Sequence, residues 1–171
     1  MATWADLERD APELAAEGRR LFYARGDGEA LLATVRGDEP PRVHPINVGI
    51  VDGHVYAFLL RSPKRADLSH DGRFALHAHQ DPAAPDEFLV RGRARLVTDE
   101  RERATAAAGW PFTVNETYLL FELLIESVLL GRRAADEWPP RYTAWRPALV
   151  EQGYDPTLPE PDHDRARRRR T

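Results

Sequence analysis

The sequence predicts a mainly β body with helices at its periphery, an α+β arrangement, and three observations carry that prediction. Helix-start signals crowd into residues 1–28, short β-prone runs separated by turn signals follow from residue 29, and 42% hydrophobic residues in a chain of 171 suffice for one core. A single domain is expected, with N-terminal helices over 1–28, a β-rich body over 29–150 and a Pro/Arg-rich tail over 151–171.

Taken in order, Thr3 with Asp6 three positions later has the form of a capping box, and Asp10, Pro12 and Glu13 supply a second helix start. Leu14, Gly18, Leu21 and Phe22 then recur at helical spacing and lay one stripe on a core. Leu31–Val35 is short and β-prone, and Gly37–Pro40 is turn-like. Arg42–Val51 runs extended to Asp52-Gly53, from which His54–Leu60 returns, so these two runs are expected to form a hairpin. Ser62 as N-cap and Pro63 at the first helical position open a short helix through Leu68. Strands are expected at Phe74–His79 and Glu87–Val97, the latter with Phe88, Val90, Gly92, Ala94 and Leu96 on a dry face and Arg91, Arg93 and Arg95 on a wet one. A helix over Asp99–Ala108 precedes Tyr118–Leu130, where strand and helix spacing fit almost equally. A strand is expected there, apolar on both faces because it also meets a partner subunit, with Glu122 and Glu126 needing water or Arg partners. Trp145 ends a final strand after Pro139-Pro140.

Several function classes lose support at this level. With no Cys, disulfides, thiolate metal sites and Cys nucleophiles are excluded. A net charge of −4 argues against a nucleic-acid role. The chain holds no apolar run long enough to span a bilayer, and Met1–Asp6 lack the layout of a signal peptide, so no membrane association and a soluble, cytoplasmic protein are expected. Arg167–Arg170 follow a stretch, Tyr154–Asp162, with three prolines and little apolar content, which predicts a disordered, solvated tail. Neither a glycine-rich dinucleotide fingerprint nor a P-loop is present, and Ser62 lacks a nucleophile-elbow context.

The most informative feature is a charge choice: twenty-three arginines against one lysine, Lys64, beside Ser62 and Pro63. A cation in the first turn of a helix meets an end that is already positive, which becomes favourable when a doubly negative group sits between them. A hydroxyl, backbone N–H groups and an ammonium converging there suit a phosphate monoester, with Arg42 or Arg61 as a bidentate partner.

With those residues in view, the stretch from Leu31 to Ala78 resembles the flavin-binding split β-barrels of the pyridoxamine 5'-phosphate oxidase-like superfamily. The resemblance runs through Leu31–Val35, Pro41-Arg42-Val43-His44-Pro45, Asp52-Gly53, Ser62-Pro63-Lys64, Asp67-Leu68 and Phe74-Ala75-Leu76, and continues at Glu87–Ala94. It implies a homodimer binding FMN, or the deazaflavin coenzyme F-420, at its interface, and hydride transfer to or from a small organic substrate. Arg42, Ser62 and Lys64 carry over as phosphate contacts. Val43, His44 and Pro45 would lie along the ring or ribityl chain, and Tyr56, Ala57 and Phe58 would form the neighbouring wall. Asn47 stands where the FMN pattern has Lys, and Pro63 where it has Arg. The segment Arg141–Pro147 also differs from the basic, His-containing C-terminus with which true pyridoxamine-phosphate oxidases grip substrate, so vitamin B6 oxidation is not expected.

Alternatives accompany this reading. His44 can donate a hydrogen bond or proton near the ring, or simply pack at the dimer seam. His77 and His79 share one face of a strand, with Asp81 two residues on, and can bind a metal only with a third ligand fixed in place and a supporting shell, so no metal is expected. Trp138 or Trp145 can lid the flavin or pack in the core. A binding protein without turnover, with haem held by His44, His77 or His79, is the competing class.

Overall fold

The computed structural model of the chain describes residues 1–83, 85–133 and 139–148. The expected tail over 151–171 and Trp138 lie outside the described residues.

Thr3 opens α1 (Trp4–Asp10) with the expected capping box: its hydroxyl accepts from the Asp6 N–H, and the Asp6 carboxylate accepts from the Thr3 N–H at 2.8 Å. Pro12 starts α2 (Pro12–Phe22), where its missing N–H costs nothing. Both helices bury their apolar sides against the sheet. Trp4, Phe22 and Phe88 form an aromatic trio, with Phe22 and Phe88 edge-to-face at 5.3 Å between ring centres. Gly18 sits against the Phe88 ring of that trio.

The strands are β1 (Glu29–Thr34), β2 (Arg42–Asn47), β3 (Gly49–Val51), β4 (His54–Leu59), β5 (Arg73–Ala78), β6 (Glu87–Leu96), β7 (Leu119–Arg132) and β8 (Arg141–Trp145). Helix α3 (Pro63–His70) follows β4, and α4 (Glu100–Ala108) follows β6. All pairings are antiparallel, in the order β2-β1-β5-β6-β7-β4-β3, with β8 also on β7. The first and last strands of that order, β2 and β3, are separated in the chain only by Val48. One residue spans only a few ångströms, so the sheet must curl until its ends meet.

That corner corrects one expectation. The run Arg42–Val51 is two strands: its first part pairs with β1, and only Gly49–Val51 forms the hairpin with β4. The hairpin turn is as expected, with Asp52 and Gly53 both at positive φ, 49° and 75°.

Strand β7 is the extended element expected at Tyr118–Leu130, and part of its second apolar face is covered within the chain itself. Phe121, Leu123, Ile125, Val128 and Leu130 face the barrel core. Leu120, on the other side, joins Tyr56, Phe58, Val97, Ala106 and Trp110 in a second cluster covered by α4 and the loop after it. The chain's own helix therefore covers that part of β7. Glu122 is buried there, accepting from Arg95 Nε at 2.8 Å and lying 2.5 Å from His54 Nδ1. Leu96, expected on the dry face of β6, is 42% exposed, because the strand ends at the sheet rim.

A Cβ on Gly18 would fall 2.1 Å from the Phe88 ring. Gly18→Ala is expected to destabilise the fold by about 1–3 kcal/mol in urea unfolding, and Phe88→Leu in the same chain to recover part of that loss.

Candidate functional site

A cleft of about 490 Å³ opens between the ends of β2 and β4, the start of α3 and the loop after α4. Its size is that of ligand and cofactor sites. Phe58 in β4 and Leu60 just after it line one wall with Phe112 and Tyr118; Pro45 and Asn47 line the β2 side.

Local chain geometry aims Lys64 into this cleft. Strand β4 ends at Leu59, and Ser62, in extended conformation, caps α3: its hydroxyl donates to Leu60 O at 3.0 Å and accepts from the Arg65 N–H. Pro63 begins the helix, so Lys64 projects from the first turn. Its Nζ donates to Pro45 O at 2.7 Å, bridging from the β4–α3 corner to β2. Partial burial holds the ammonium below its ordinary pKa of 10.5. Two of its N–H donors remain available.

Helix α3 is fixed by a second residue of the same element. Asp67 is 1% exposed and accepts from Thr34 Oγ1 at 2.9 Å and from Arg42 Nη1 at 2.8 and 2.9 Å. Burial pushes this carboxyl up, but the hydrogen bonds from Arg42 and Thr34 outweigh it and hold Asp67 below the ordinary 3.8. Arg42 also donates to Glu39. Its guanidinium is thereby engaged with two carboxylates and does not line the cleft.

Of the residues expected at a cofactor, the structure thus gathers Pro45, Asn47, Phe58, Ser62 and Lys64 around one cleft. Others lie elsewhere. Val43 points to solvent at 64% exposure, and Ala57 faces the barrel core. Tyr56 sits in the cluster beneath α4, its hydroxyl donating to Glu102 at 3.0 Å, where burial raises its pKa. Arg61 and Pro63 line a separate hollow on the outer side of α3. His44 shares the β2 face of Arg42, and its Nε2 is buried with no hydrogen-bond partner among the described residues. His77 turns its Nδ1 to Ala78 O at 2.6 Å while His79 lines the cleft, and no described group of three His, Asp or Glu is placed to hold a metal. Trp145 packs at the edge of the main core.

Glu29, Leu60, His79, Phe112 and Tyr118 also line the cleft, outside the set expected from the resemblance. The aromatic residues of the loop carried the best available signal, since apolar rings in a connecting segment need a surface to cover.

Comparison with known proteins bears on this geometry. No family model and no curated protein matches the chain. Solved structures do share its architecture. The chain resembles the FAD binding protein from Mycobacterium smegmatis with a TM-score of 0.55 and 20% identity, over 70% of this chain and 97% of that one. The chain is a split barrel. A second split barrel, a Clostridium acetobutylicum protein related to general stress protein 26 of B. subtilis (pyridoxinephosphate oxidase family), gives 0.56 at 10% identity, over 83% and 95%. A heme binding protein from Mycobacterium smegmatis gives 0.58 at 17% identity, over 77% of this chain; this chain spans only 57% of that protein's length. No helix among the described residues is long and apolar enough to cross a membrane.

The depressed pKa of Asp67 has a direct consequence. Its contribution to stability is full above the unfolded-state pKa and is lost as pH falls through the lower folded value. Asp67→Asn is expected to lower Tm at pH 7, with the gap to wild type constant down to the ordinary carboxylate range and narrowing below it, as thermal unfolding across pH will show.

Proposed function

We propose that the chain binds a flavin nucleotide, FMN or the deazaflavin coenzyme F-420, in the Lys64 cleft and acts as a homodimeric oxidoreductase on a small organic molecule. The observation that carries this reading is the chain's single lysine, held 2.7 Å from Pro45 O at the mouth of an apolar-walled cleft, beside the Ser62 cap.

The donor set suits such a group. Lys64 and the first N–H groups of α3 would hold the terminal phosphate, a cation and a helix end sharing one dianion. Arg42, engaged with Asp67, fixes the helix that presents these donors. Phe58, Phe112 and Tyr118 would exclude water from a flat aromatic ring. When bound, a flavin supplies the hydride chemistry, and the protein supplies orientation and a desolvated face. Glu29, His79 and Tyr118 are the cleft side chains able to hold or pass a proton. The exposed apolar side chains Leu60 and Phe112 at the cleft, with Val43 on β2, support a second copy closing the open side.

A second reading has one observation in its favour. His79 lines the same cleft and can serve as an axial ligand, which suits a haem-binding protein without turnover.

Titration of the cofactor-stripped chain with FMN and with coenzyme F-420, followed by absorbance and tryptophan fluorescence, tests both readings. Saturable binding of either is the expected result. Binding of neither, with a Soret band on haem addition that His79→Ala abolishes, would move the assignment to haem. Lys64→Ala is expected to weaken flavin binding by about tenfold or more while leaving the melting temperature close to wild type. Because the Lys64 pKa lies below 10.5, affinity for the phosphate-bearing ligand is expected to decline with rising pH before that value is reached. The same titration repeated in alkaline buffers will show it.

A further inference from the structure

The wet face of β6 presents three arginines with unequal company. Arg95 donates to Glu122 and Glu102, and Arg93 lies 3.5 Å from Glu126. Among the described residues Arg91 has only a neutral partner, the Ser127 hydroxyl at 3.2 Å from its Nε. Arg146, just past β8, has no carboxylate partner among the described residues. These two guanidiniums line two adjoining hollows, of about 270 and 700 Å³, which also share Ser127.

A bulge builds this surface. The β6–β7 register pairs Arg91 with Ser127 and Gly92 with Ile125, leaving Glu126 as the extra residue. Core-facing positions in β7 accordingly shift from Phe121, Leu123 and Ile125 to Val128 and Leu130, so Glu126 and Ser127 fall together on the outer side. A Cβ on Gly92 would lie 1.8 Å from Leu124 O, so only glycine permits the close strand approach there. The floor between the arginines is apolar, formed by Leu89, Leu129 and Ala144, which are cross-strand neighbours on the outer face.

Two cations facing one apolar floor repel each other, and an anion between them reverses that sign. We propose that this face of β6, β7 and β8 is a binding site for a small organic anion with a flat apolar body, an aromatic carboxylate in chemical class. Arg91 and Arg146 hold the carboxylate, each offering the planar fork that fits it. Leu89, Leu129 and Ala144 take the ring. Glu126 shares the larger hollow, but Arg93 neutralises it. None of these residues lines the Lys64 cleft, so the site stands independently of the flavin reading.

Calorimetric titration of the full chain with 2-naphthoate and with the uncharged 2-naphthamide tests the proposal. Saturable naphthoate binding is expected, with the amide, Arg91→Gln and Arg146→Gln each weaker by about tenfold or more, and Lys64→Ala unchanged. Equal binding of acid and amide, wild-type affinity in both arginine variants, loss in Lys64→Ala alone, or no binding at all would each overturn it. Should an arginine variant fail to fold, the salt dependence of the wild-type titration decides. Affinity must fall as ionic strength rises, and salt-independent binding refutes the ion pair.

Discussion

The arrangement around the cleft depends on one buried carboxylate. Asp67 has left water almost entirely, which an isolated anion cannot do cheaply, so its environment must return hydrogen bonds and charge. Thr34 from β1 and Arg42 from β2 do so, and the three elements are thereby joined at one point. Removing any one donor leaves a desolvated charge underserved, so the junction tolerates little rearrangement. The orientation of α3 follows from it, and with that orientation the position of Ser62, Lys64 and the exposed helix end. A residue that never touches the cleft sets what the cleft can hold.

The same tie accounts for a division of labour between two cations. Arg42 spends its fork on Asp67 and Glu39, a planar donor on planar acceptors, while Lys64 keeps a compact charge with directions to spare. Arginine is the better residue for a fixed structural pair, and an ammonium on a flexible stem suits a ligand that comes and goes. The charge choice that stands out in composition therefore matches two different physical tasks at one helix, α3.

Most elements could be anticipated from local chemistry. The Thr3 capping box, the Asp52-Gly53 turn, the Ser62-Pro63 helix start and the extended character of β7 each rest on short-range steric or hydrogen-bonding rules, and each appears in the structure. What escaped were consequences of closure. The break at Val48 is invisible locally because both halves of Arg42–Val51 are β-prone, and only the return of the sheet on itself decides which strand each half joins. The resemblance sets Tyr56, with Ala57 and Phe58, in the wall beside a cofactor, but nothing local to the strand shows that α4 folds over Tyr56. Phe112 and Tyr118 are more than fifty residues from Phe58 in the chain, and no periodicity links them to its wall. For the site, then, the residues near Lys64 were accessible from sequence, and the far side of the cleft required the tertiary path.

The strand order also constrains how the chain acquires this shape during synthesis. Among the described residues strand β4 pairs with β3 and β7, and β6 with β5 and β7, so β7 is the keystone inserted between two unfinished edges. Until residue 132 has left the ribosome, both edges offer unpaired backbone and the aromatic trio lacks a closed roof. Such late, long-range closure favours slow folding and leaves an intermediate open to association with other chains. The cleft, walled by β4 and by the loop that leads into β7, comes into being only with that last insertion.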